Sequence, residues 1–164
     1  LGKSLFEEKQ EKTIEEIISM CKKNDCKLFI PEDVVAAKDL DSKGKIKVLK
    51  DVGDEDLILD IGKKTTQNIL KVIDESKTVL WNGPAGYFEN PTFAKGSIEI
   101  SKKIVEKNKI NKIYSVVGGG DTVAVINKIG DVNNYNFVST AGGAFLEYLE
   151  GKELPGIRAL NQNV

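Results

Sequence analysis

The stretch Ser115-Val-Val-Gly-Gly-Gly-Asp-Thr-Val-Ala-Val125 decides the fold. An apolar run stops at three glycines, an acid and a hydroxyl follow, and apolar residues then resume at helical spacing. This pattern reads as a buried strand, a glycine turn and a helix. The same order recurs on either side. "KTVLWNG" (77–83) precedes the helical "SIEISKKIVEKN" (97–108), and "NFVSTAGG" (136–143) precedes "AFLEYLEGK" (144–152). Near-continuous apolar strands alternating with helices predict a parallel sheet covered on both faces and joined by right-handed crossovers. The expected fold is a three-layer α/β/α domain, Rossmann-like in the broad sense.

Upstream, 5–23 reads as an amphipathic helix with Ile14, Ile17, Ile18 and Cys21 on one face. Strands are expected near 27–30 and 34–37, then a surface loop in "KDLDSKGK", then strand-like runs in "IKVLK" and "LILDIG". "KKTTQNILKVIDES" has helical spacing, with Ile69, Leu70 and Ile73 inward. The 164 residues suit one domain, 1–164, with a core of its own.

Twenty-four basic and 25 acidic residues give a net charge of −1, scattered along the chain. No basic stripe interleaved with aromatics points to nucleic acid, and no apolar run approaches the roughly 18 residues of a membrane span. A soluble cytoplasmic protein with a small-molecule partner is expected. Cys21 and Cys26 have no second pair, and the chain contains no histidine, so a zinc site is not indicated and both read as reduced, ordinary thiols. The lack of histidine also removes every Ser-His and Cys-His mechanism. Chemistry must rest on glycines, carboxylates, hydroxyls, lysines or metal.

In open parallel sheets the loops leaving the carboxyl ends of the strands share one rim, where ligands bind. Glycine backbone lets an anion approach closely, and the helix that follows offers unpaired N–H groups. A phosphate is the implied ligand. Asp121 would repel it unless a hard cation such as Mg²⁺ lay between, which makes a Mg-nucleotide the economical reading. A purely structural strand-to-helix turn, with Asp121 or Thr122 as its N-terminal cap, would give the same pattern. In "LWNGPAGYFENP", Pro84 with an aromatic can form a slot for a planar base, and Glu89 can accept from ribose hydroxyls. A rigid turn with core aromatics would look the same. "GGGDT" is neither a P-loop nor the dinucleotide fingerprint.

Taken together, "GKSLFEE", "DIGKKT", "WNGPAGYFE", "GGGDT", "STAGGA" and "LEGKELPGI" closely resemble the C-terminal, nucleotide-binding half of phosphoglycerate kinase, in that family's order and over essentially the whole chain. The resemblance implies phosphoryl transfer between 1,3-bisphosphoglycerate and ADP, giving 3-phosphoglycerate and ATP, with Mg²⁺ on the nucleotide. By motif position, Leu5, Pro84 and Tyr87 would border the adenine, Glu89 the ribose and Asn82 the phosphates. Gly119, Gly120 and Thr122 would cradle the phosphates, Asp121 would reach the metal, and Gly142 and Gly143 would aim a helix start at the transferred group.

Lys63 stands where the family usually has proline, Ala141 where it has glycine, and Tyr87 where it has a smaller aliphatic residue. The family's N-terminal domain and the first strands of its nucleotide domain have no counterpart in this sequence, and 152–164 are expected to lead toward that domain. The full-length enzyme is expected to be a monomer that meets 3-phosphoglycerate or 1,3-bisphosphoglycerate through its other domain. Aligning two bound substrates is worth about 7–11 kcal/mol of barrier, so the 164 residues alone are expected to be silent. Two other readings stand beside this one: a truncated remnant that still binds nucleotide, and an unrelated glycine-looped binding module.

Overall fold

The computed structural model describes residues 1–161, so the last three positions of the stretch expected to lead toward a second domain lie outside the described residues. The first ten residues do not open a helix as the periodicity suggested. They form a strap: the Lys3 N–H donates to the Asp56 carbonyl (2.8 Å), and the Ile58 N–H donates to Ser4 Oγ (2.9 Å). Lys9 sits at φ +60°, which breaks a right-handed helix, and α1 (Glu11–Lys23) begins only after it. Ile14, Ile17 and Ile18 do share a face of α1, but no residue of this helix is buried among the described residues.

The single parallel sheet expected from the sequence is corrected here to two sheets of three strands. β1 (Asp33–Ala37), β2 (Lys45–Val48) and β3 (Leu57–Ile61) form one in the order β2-β1-β3, antiparallel throughout. The reason is loop length. Residues 38–44 join β1 to β2 directly, whereas a parallel return takes a crossover of roughly a dozen residues or more. Residues 27–30, expected as a strand, are not one, and Leu28, Phe29 and Ile30 are exposed.

The three repeated units do form as read. α2 (Lys63–Glu75) leads into β4 (Thr78–Asn82), α3 (Lys95–Lys109), β5 (Tyr114–Gly118), α4 (Gly120–Ile129), β6 (Phe137–Val138) and α5 (Gly143–Leu149), followed by α6 (Pro155–Asn161). β4-β5-β6 is parallel, with Asn82 opposite Gly118 and Val117 opposite Val138. Its core joins Trp81 and Val117 from the strands to Ile100 and Ile104 of α3, Val125 and Ile126 of α4, and Ile73 of α2. Ile69 and Leu70 pack against this cluster, as their spacing predicts. A second, smaller cluster of Ala37, Leu59 and Phe93 lies under the antiparallel sheet, with Tyr87 packed on it.

A candidate ligand cleft at the carboxyl rim of the parallel sheet

Because β4, β5 and β6 run parallel and in register, the turns that leave them emerge side by side. Between these turns lies a cleft of about 260 Å³ walled by Asn82 and Gly83, by Gly119, Gly120, Asp121 and Thr122, and by Gly142, Gly143 and Leu146. Each turn uses glycine for its own reason. Gly83, Gly119 and Gly142 hold φ of +91°, +87° and +55°, the left-handed region that disfavours a side chain. At Gly118 a Cβ would strike the Phe145 ring of α5, and at Gly119 it would strike the Asn82 carboxamide.

Gly120 and Gly143 differ from these. Neither has a positive φ, and a Cβ on either would project into open space with no protein atom within 4 Å. Nothing in the protein's own packing requires glycine at either position, and both face the cleft. α4 starts there with no side chain capping its first N–H groups, leaving donors of a helix N-terminus free beside the cleft. Asp121 is the one charged side chain in the lining, and it is exposed.

The turn after β4 is held along its length. Trp81 Nε1 donates to the Gly83 carbonyl (2.8 Å), and the Gly83 N–H donates to Thr122 Oγ1 (2.7 Å). Further on, the Ala85 N–H donates to Ser97 Oγ (2.9 Å), and the Tyr87 N–H donates to the Leu59 carbonyl (2.7 Å). Lys128 of α4 donates to the carbonyls of Phe88 and Glu89, at 3.0 and 3.1 Å. At Gly86 a Cβ would lie 2.5 to 2.6 Å from the Phe93 carbonyl, the Leu59 carbonyl and Asp60 Oδ1. Asp60 is buried, accepting the Gly96 N–H (3.0 Å) and the Ile61 N–H (2.8 Å). Burial pushes its carboxyl up from the ordinary value, against the pull of those N–H groups.

The structure therefore brings Asn82, Gly119, Gly120, Asp121, Thr122, Gly142 and Gly143 to one cleft. Thr122 is fully buried, and its hydroxyl ties the first turn to the second. Pro84, Tyr87 and Glu89 follow on the first turn without walling the cleft; Tyr87 packs on the second core cluster, and Glu89 is exposed. Leu5 is fully exposed, next to Ser4, which is anchored to β3. Gly83 and Leu146 wall the cleft although the sequence did not mark them as site residues. Leu146 lies three residues into α5 from Gly143, a helical spacing that could have placed it on the same face.

The described residues contain no cluster of three or more His, Cys, Asp or Glu that could hold a metal ion, and no helix long and apolar enough to cross a membrane. A lone carboxylate beside free backbone donors fits a Mg²⁺ held mainly by the oxygens of its ligand rather than by a protein cage.

Fold and cleft together define an α/β protein with a glycine-walled cleft at the carboxyl rim of a parallel sheet. The family model for phosphoglycerate kinase matches residues 1–152. The chain is 43% identical over 162 residues to the phosphoglycerate kinase of Zymomonas mobilis, covering 98% of this chain and 41% of that protein. It is also 43% identical over 162 residues to that of Caulobacter vibrioides, with the same coverage. The solved phosphoglycerate kinase of Coxiella burnetii superposes with a TM-score of 0.90 at 36% identity, over 99% of this chain and 41% of that one. The chain belongs to the phosphoglycerate kinase family, a family of transferases, and spans 41% of the length of these curated relatives.

Proposed function

We propose that these residues are the nucleotide-binding part of a phosphoglycerate kinase and that the cleft takes the phosphates of Mg-ADP or Mg-ATP. The observation that carries this is Gly120 and Gly143, glycines that neither backbone conformation nor packing requires, facing one cleft beside an uncapped helix start. Space kept clear at a cluster of N–H donors suits an anion that must approach the backbone. Bound Mg²⁺ would neutralise charge on the phosphates, and Asp121 is the side chain placed to reach it. Asn82, Gly119 and Gly120 would position the phosphates, and Gly142 and Gly143 would direct the start of α5 toward the transferred group.

Phosphoryl transfer needs alignment and charge stabilisation more than covalent help from protein groups, which suits a chain without histidine. On this reading the base lies toward Leu5, Pro84 and Tyr87, with Glu89 on the ribose. The family's glycolytic reaction, between 1,3-bisphosphoglycerate and ADP, would use the rest of the relatives' length to hold the three-carbon substrate. The completed nucleotide domain would be the three-layer α/β/α arrangement, in a monomeric cytoplasmic enzyme.

Calorimetric titration of Mg-ADP into the protein tests the reading. Gly120→Ala and Gly143→Ala should leave the melting temperature nearly unchanged, since each methyl enters open space. Each should weaken Mg-ADP binding about tenfold, or about 1.4 kcal/mol. Asp121→Ala should weaken binding with Mg²⁺ far more than binding without it. Unchanged affinity in all three variants would overturn the proposal.

A further inference from the structure

The C-terminus of α1 brings together two groups that the nucleotide cleft does not use. Asn24 caps the helix, Asp25 follows in the left-handed region at φ +51°, and the Cys26 N–H donates to the Cys21 carbonyl at 2.8 Å. That six-to-one bond is the mark of a Schellman motif, in which the two residues sharing it also bring their side chains into contact. Such positions are ordinarily apolar; here both are cysteine. Standard bond lengths and the carbonyl bond angle on either side of the 2.8 Å hydrogen bond keep the Cα separation at or below about 6.7 Å, under the upper limit of roughly 6.8 Å that a disulfide spans. Both thiols are free, Cys21 half-buried and Cys26 exposed. Burial, and then the adjoining Cys26 thiol, push the Cys21 thiol up.

We propose that Cys21 and Cys26 form a reversible, peroxide-responsive dithiol site that closes a disulfide across the last turn of α1. The exposed Cys26, as thiolate, attacks one oxygen of hydrogen peroxide. The O–O bond breaks, Cys26 becomes a sulfenic acid, and the departing hydroxide takes up the proton that the thiol released, leaving as water. The Cys21 thiol then gives up its proton as its sulfur attacks the Cys26 sulfur. The S–S bond forms, the S–O bond breaks, and the hydroxide leaves with that proton as a second water. Two thiols are oxidised and one peroxide is reduced. Exposure sets the order, with Cys26 reacting first and Cys21 resolving.

Peroxide treatment of the protein, followed by alkylation, intact-mass measurement and peptide mapping, tests the proposal. The expected result is joint loss of both thiols, a mass lower by two hydrogens, and a linkage between Cys21 and Cys26 that dithiothreitol reverses. Because the motif holds the sulfurs together, closure should run about tenfold faster in the folded protein than in denaturing urea. In Cys21→Ser, the Cys26 sulfenic acid should persist and be trapped by dimedone. Three results would each overturn the proposal: wild-type Cys26 passing to sulfinic acid while Cys21 stays a thiol, linkage only between separate chains, or equal closure rates in buffer and urea.

Discussion

Thr122 shows how much one side chain can organise at this rim. It is fully buried at the start of α4, and its hydroxyl accepts the N–H of Gly83, which follows β4 39 residues earlier. With Trp81 donating to the carbonyl of the same residue, Gly83 is held from both sides, and the first and second turns become one rigid wall. Thr122→Val keeps the volume and removes the acceptor. It should cost about 1–2 kcal/mol in urea denaturation with an unchanged m-value, the price of leaving a partly buried N–H unpaired. Thr122→Ser keeps the acceptor and should recover most of that loss. A loss in Thr122→Ser with none in Thr122→Val would show that the methyl group, not the hydrogen bond, matters. The family resemblance marked Thr122 as a site residue by its position in "GGGDT". It could not show the Gly83 bond, since a partner 39 positions away leaves no local pattern.

Asp33 works at the scale of an element, starting α2 from outside it. Gly62, the residue before α2, offers no side chain, and Asp33 of β1 takes over the capping role: Oδ1 accepts the Thr65 N–H and hydroxyl, both at 2.7 Å, and Oδ2 accepts the Lys64 N–H at 3.0 Å. Burial pushes this carboxyl up, but the bonds from Thr65 and Lys64 outweigh it and hold the group below its ordinary value. A Cβ at Gly62 would enter the carboxylate, so the glycine and the acid are one device. Asp33→Ala should destabilise the fold by about 2 kcal/mol and raise hydrogen exchange selectively in the first turn of α2. Uniform acceleration across the chain would argue against a capping role. Elements of this kind mark the limits of the sequence reading. The glycine turns were legible because glycine punctuates strand ends, and all three repeated units form as read. The antiparallel sheet was not. "DVVAA" is buried at four of its five positions, as a parallel strand would be, and its direction is set by the short loop after it rather than by its composition.

At the scale of the whole molecule, Asp56, just before β3, and Asp60, within it, respond to pH in opposite directions. Asp56 receives the Lys47 ammonium, the Gly53 N–H and the Lys38 ammonium, which together hold its carboxyl far below the usual range, while its carbonyl ties down the N-terminal strap through Lys3. Because its folded pKa is depressed, the stability it contributes is complete above the unfolded value of about 3.9 and is lost as pH falls below that toward the folded value. Asp60 joins this sheet to the parallel unit through the Gly96 N–H at the start of α3, and burial raises its pKa. Its folded form binds a proton more tightly than its unfolded form, so it lowers stability as pH rises from about 3.9 through the raised value. Stability measured by urea titration from pH 7 down to the acid limit should therefore separate them. Asp56→Asn should be less stable than wild type at pH 7 and should converge on it in acid, because the wild-type contribution disappears there. Asp60→Asn should fall further behind wild type as pH drops from neutral toward 4, since wild type alone gains from protonation over that interval. Curves for both variants running parallel to wild type would show that neither carboxylate couples the fold to protons.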